Sequence, residues 1–114
     1  MSISIITHPR AVVVSLGNVI QPSTVNETLT VLLNGTDRSF RVLFDIRHLK
    51  RMRTEYLGAL VHLNTRLRSA GFHEPIGLWI VDRPYNERAL LGARINTVFQ
   101  LVRSTEQATR FVRV

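Results

Sequence analysis

Three short apolar runs do most to constrain the fold. Ala11 to Leu16 is a β-branched run, and Phe40 to Ile46 and Ile76 to Val81 are nearly continuous in apolar residues, where a half-exposed strand would alternate. Such strands are buried on both faces, so other elements must cover them. The segments between carry a helical period instead. Val25, Leu29, Leu32 and Leu33 form one stripe, closed by Asn34-Gly35; Leu57, Leu60, Val61, Asn64 and Leu67 form another, on a helix from Thr54 to Ala70 stopped by Gly71. Parallel strands need long crossovers, and helices supply them.

The ends complete the pattern. Ser2 to Thr7 alternates Ile with small polar residues and meets the second strand across His8-Pro9-Arg10, which predicts an N-terminal hairpin ended by Gly17. Ser23 or Thr24 is expected to cap the first helix, with Thr24 and Glu27 at capping-box spacing. Asp82 and Pro84 open a short helix through Leu91, ended by Gly92, and Asn96 to Val102 reads as a last strand. Ser104 and Gln107 form a second capping box, opening a terminal helix with Ala108, Phe111 and Val112 inward. The expected class is α/β: a mixed, mostly parallel sheet of about five strands, with an N-terminal hairpin and about four helices, in one domain over residues 1–114.

Composition narrows the function. Hydrophobic residues make up 45% of the 114, mixed evenly with charges, as in a globular domain. No apolar run approaches the roughly 20 residues that span a bilayer, and Met1 to Arg10 lacks the plan of a signal peptide. A cytoplasmic protein without membrane contact is expected. The lack of cysteine removes disulfides, thiolate nucleophiles and zinc–sulfur sites. His8, His48, His62 and His73 share no metal-ligand spacing, and carboxylates are too scattered for paired acid–base work. There is no Gly-x-Ser-x-Gly elbow and no Gly-rich phosphate loop with Lys. The expectation is a non-enzyme without cofactor or metal. The net charge of +7 resembles a nucleic-acid footprint, but Lys50 is the only lysine among fifteen basic residues, so the arginine excess reads equally as a codon bias.

Those charges crowd one junction, VLFDIRHLKRMRTEYLGAL, where a strand ending at Asp45 runs through Arg47, His48, Lys50, Arg51 and Arg53 into the helix that opens at Thr54. A hydroxyl at a helix start, beside unpaired N–H groups and arginines, favours a phosphate. It also reads as a plain N-cap, its oxygen accepting a first-turn N–H. No aromatic residues interleave with the arginines of the loop and Tyr56 alone is near, so nucleic acid is disfavoured as the loop's partner. Trp79 is read as core.

The order of elements and this junction resemble a STAS domain, the fold of bacterial anti-sigma-factor antagonists. In that family an Asp-Ser-Ser-Gly-Leu-Gly motif opens the second helix. The matching stretch here is Met52-Arg53-Thr54-Glu55-Tyr56-Leu57-Gly58-Ala59-Leu60. Gly17, the Arg-x-x-Gly of Arg68 to Gly71, and Thr105-Glu106-Gln107-Ala108 add to the match. The resemblance implies that Thr54 takes the place of the phosphorylated serine, with Arg53, Glu55 and Tyr56 replacing the family's Asp, second Ser and first Gly. It also implies a protein partner, an anti-sigma factor or related serine/threonine kinase that carries the ATP itself. Arg51, Arg53, Glu55, Tyr56, Gly58, Tyr85 and Arg88 are the expected partner-binding residues. Two alternatives stand beside it: a scaffold that has lost phosphorylation, and a binder of nucleic acid or an anionic ligand through loop 47–53. The exposed edge of the hairpin permits a homodimer.

Overall fold

A computed structural model describes residues 3–17, 20–81 and 84–113, with side chains at 84–87 outside the description. Its elements are β1 (Ser4–Thr7), β2 (Ala11–Ser15), α1 (Pro22–Gly35), β3 (Arg41–Asp45), α2 (Thr54–Ser69), β4 (Ile76–Trp79), α3 (Pro84–Gly92), a 3-10 turn (Ile95–Thr97), β5 (Gln100–Val102) and α4 (Thr105–Val112). The five strands lie in sequence order, β1 antiparallel to β2 and every other neighbour parallel.

Strand alternation divides the core into two layers. Val12, Val14, Val42, Phe44, Ile76 and Leu78 pack against Leu29 and Leu32 of α1 and Leu60, Leu63 and Leu67 of α2. Their neighbours Val13, Leu43 and Val102 turn to the opposite face, where Ala108 and Phe111 of α4 cover them. Both sides are therefore apolar, and the runs are continuous. The α4 layer is tight at Gly77, where a Cβ would lie 2.9 Å from Leu43 Cδ1 and 3.1 Å from the Phe111 ring. Gly71, at φ +101°, ends α2 in a conformation that favours glycine.

Several expectations need correction. The first helix starts earlier than its hydroxyls suggest: Gln21 is the N-cap without a side-chain bond, and Pro22 takes the first helical position, which its fixed φ and missing N–H suit. Thr24 lies inside the helix, buried, and its carbonyl accepts from the Thr28 hydroxyl at 2.8 Å. On α2 the buried positions are Tyr56, Leu60, Leu63 and Leu67, while Val61 is 40% exposed. Counting the Tyr56 ring as polar shifts the expected stripe by one position. Of the expected strand over residues 96–102 only Gln100–Val102 is strand, preceded by the 3-10 turn Ile95–Thr97. The terminal helix keeps its Ser104 cap, whose Oγ accepts from the Gln107 N–H at 3.1 Å, but the return bond of the expected box is displaced by one residue: Gln107 Oε1 accepts from the Arg103 N–H at 2.7 Å. Asp82 lies outside the described residues.

Candidate functional site at the start of the second helix

The parallel strands β2, β3 and β4 point their carboxyl ends the same way, so the loops into α1, α2 and α3 share one end of the sheet. Backbone bonds continue past the strands there: Leu16 N–H to Asp45 O, and Ile46 N–H to Trp79 O, both 3.0 Å. The junction is thus held from both sides before any side chain acts.

Asp45 is the anchor. Only 3% exposed, it accepts from Arg47 Nε and Nη2 at 2.9 Å each and from the Arg47 backbone N–H at 3.1 Å. Burial opposes ionisation, but the guanidinium and the backbone donor more than offset it, and the carboxyl is held below its ordinary value. Register places Trp79 opposite Asp45, and the Arg47 guanidinium lies 3.5 Å from the centre of its ring. Trp79 is therefore half-buried under a cation rather than sealed in the core. Arg47, which the anion-binding alternative would turn toward an external ligand, holds Asp45 and Trp79 instead. Leu49 and Met52 turn inward from the same loop, while Lys50, Arg51 and Arg53 are exposed.

Tyr56 completes the inward half. It is 3% exposed and its hydroxyl donates to Gly17 O at 2.8 Å, tying the first turn of α2 to the loop after β2. Burial and then the nearby Asp45 charge push its phenol well above the usual range. This corrects the expectation that Tyr56 meets a partner: its side chain serves the core.

The outward half starts at Thr54. Arg53, in an extended conformation, is the N-cap, and its carbonyl accepts from the Tyr56 and Leu57 N–H groups. Thr54 is the first residue of the helix itself and is exposed, so it is not the N-cap. Among the described residues none hydrogen-bonds its hydroxyl. Thr54, Gly58, Val61 and Thr65 line the exposed side at the same spacing that Tyr56, Leu60, Leu63 and Leu67 follow inside, with Glu55 and His62 beside them. Nothing lies within 4 Å of a Cβ built on Gly58, so the fold does not require glycine there. A largely apolar groove of about 470 Å³ runs alongside, lined by Ile20, Pro22, Val25 and Ala59 and also by Glu55 and His62.

Of the remaining expected residues, Arg88 is exposed on α3, and the Tyr85 side chain lies outside the described residues. Sequence reading missed the Asp45–Arg47–Trp79 stack. Its signal was present in an acid and a base two apart at a strand end, but it needed the β3–β4 register to become visible. Among the described residues no His, Asp or Glu group could hold a metal ion, and no helix is long and apolar enough to cross a membrane.

No family model matches the chain, and no curated protein matches its sequence. Solved structures do match its shape. An anti-sigma factor antagonist from Mycobacterium paratuberculosis superposes with a TM-score of 0.75 at 15% identity, covering 99% of this chain and 94% of that one. An anti-sigma-factor antagonist (STAS) domain protein from Planctomyces limnophilus gives 0.69 at 15% identity, covering 98% of both chains. The expected mixed sheet, hairpin and four helices are present in full. The fold is that of the STAS anti-sigma-factor antagonists.

Proposed function

We propose that this chain is a regulatory protein–protein interaction module that presents the start of α2 to an anti-sigma factor or related serine/threonine kinase, with Thr54 as the phosphorylated hydroxyl. The observation that carries this reading is the exposed Thr54 hydroxyl at the first position of α2, followed one turn later by a glycine that internal packing does not demand. A side chain at residue 58 would stand between a partner and the helix backbone, and glycine permits closer approach. In this reading the partner carries the ATP, the chain itself performs no catalysis, and the setting is the bacterial cytoplasm, where transcription is regulated.

The chemistry is electrostatic. A phosphate adds roughly −1.5 to −2 charges at a surface that must lose water on docking. Arg53 and Glu55 flank it with opposite signs: the arginine stabilises the phosphorylated form, and the glutamate opposes it. Arg51 and Arg88 are exposed at this end of the molecule, whereas Tyr56 acts only by holding the turn. The anion-binding alternative is weakened because Arg47 is already held by Asp45.

The test is partner binding by Thr54→Ala and Thr54→Glu with the anti-sigma-factor kinases of the native host. The alanine variant is expected to bind as the wild type does, and the glutamate variant at least about tenfold more weakly. Equal affinities in two folded variants would retire the switch. Binding without any modification of wild-type Thr54 would instead identify a scaffold that has lost phosphorylation.

A further inference from the structure

The two edges of the sheet differ. β5 is three residues long, and Arg103 and Arg110 stand beside it, charges that discourage strand addition. β1, Ser4–Thr7, carries no charge and no proline within its span. Its Ile6 is 56% exposed, more than any other large apolar side chain among the described residues.

Backbone direction fixes what this edge can accept. His8 donates its N–H to Ala11 O at 2.7 Å, so by alternation Ile6 and Ser4 also turn their polar groups toward β2. Ile5 and Thr7 therefore turn theirs outward, to an edge where, among the described residues, no strand follows β1. Ile6 projects from the same face as its register partner Val13, the α4 side of the sheet, where α4 covers Val13 but leaves Ile6 open.

We propose that β1 pairs antiparallel with β1 of a second copy of this chain, about a two-fold axis normal to the sheet that passes beside Ile6. In this register Ile5 and Thr7 bond the partner's Thr7 and the partner's Ile5, so every outward N–H and C=O of these residues finds a mate. Ile6 meets the partner's Ile6 in a non-hydrogen-bonded position, where Cα atoms approach to about 4.5 Å and side chains pack closely. A two-fold axis keeps each face on its own side, so only residues of equal parity can oppose, and this register buries the exposed isoleucine against its own kind. The occupant is a second copy because the strand complements itself in both backbone polarity and side chain.

The chain has no cysteine, which makes a direct test available. Ile6→Cys provides a single thiol that the proposed register brings within disulfide reach of its own copy. Thr7→Cys provides one that lies opposite the partner's Ile5 and out of reach of the partner's Cys. Under diamide, Ile6→Cys is expected to give a covalent dimer at least about tenfold faster than Thr7→Cys. In sedimentation equilibrium the wild type is expected to dimerise, and Ile6→Asp to weaken the dimer at least about tenfold while keeping its native circular dichroism. A wild type that stays monomeric throughout the accessible concentration range overturns the proposal. So does cross-linking of Thr7→Cys as fast as of Ile6→Cys, or an unaltered dimer in folded Ile6→Asp. None of these readouts depends on Thr54 or on a kinase.

Discussion

The two sides of the first turns of α2 follow the same periodicity to opposite ends. Tyr56, Leu60, Leu63 and Leu67 are sealed against the sheet, with Asp45 and Arg47 locking the loop that leads to them. Thr54, Gly58, Val61 and Thr65 face solvent, with a bare backbone at the glycine. The inward side has a packing or tertiary hydrogen-bonding reason for each residue, whereas the outward side has only the bond within the helix from the Thr65 hydroxyl to Val61 O at 3.0 Å. Residues on the inward side should therefore change stability when replaced, and those on the outward side should change binding.

The largest expected effect is at Tyr56. Tyr56→Ala removes a buried ring and should cost about 3–5 kcal/mol of unfolding free energy, read by urea denaturation. A loss below about 1 kcal/mol would break the inward assignment. Next comes Asp45→Asn, which weakens the grip on Arg47 and should cost about 1–3 kcal/mol near neutral pH. Its pH dependence is the sharper sign. The folded carboxyl lies below its ordinary value of 3.8, so its contribution is complete above that value and fades as pH falls through the lower folded value. Wild-type stability should therefore drop more steeply with acidification below about pH 4 than that of Asp45→Asn, as denaturation at stepped pH will show.

Smaller effects test individual contacts. Tyr56→Phe deletes only the bond to Gly17 O and should cost about 1 kcal/mol, measured the same way. Gly58→Ala should move stability in the other direction, gaining up to about 1 kcal/mol, because the helix gains a better former in open space. The same variant should bind the partner kinase less well. Destabilisation by Gly58→Ala, or unchanged binding, would erase the distinction between the two sides.

Much of the fold was legible because the signals were redundant. Continuous apolar runs, helical stripes and the stops at Asn34-Gly35 and Gly71 all pointed to one alternation of strand and helix. Errors fell where a residue has two natures. Tyr56 combines a polar tip with a large ring, and placing it outward shifted the expected face of α2 away from Leu63. Thr24 offered a capping hydroxyl, but Pro22 two residues earlier was the stronger start signal. Arg47 was counted with the exposed cations because its partners, Asp45 and Trp79, sit on different strands, and no local pattern reports a cross-strand stack. For the site, the helix start and its hydroxyl could be read from residue types. Which residues support the turn and which remain available emerged only from burial.

The central claim concerns one oxygen atom, and phosphosite mapping by mass spectrometry of the chain isolated from its native host addresses it most directly. The account predicts a phosphate on Thr54, lost on treatment with phosphatase and absent from Thr54→Ala. A stoichiometric phosphate at another hydroxyl, with Thr54 unmodified under conditions where the kinase is active, would contradict it.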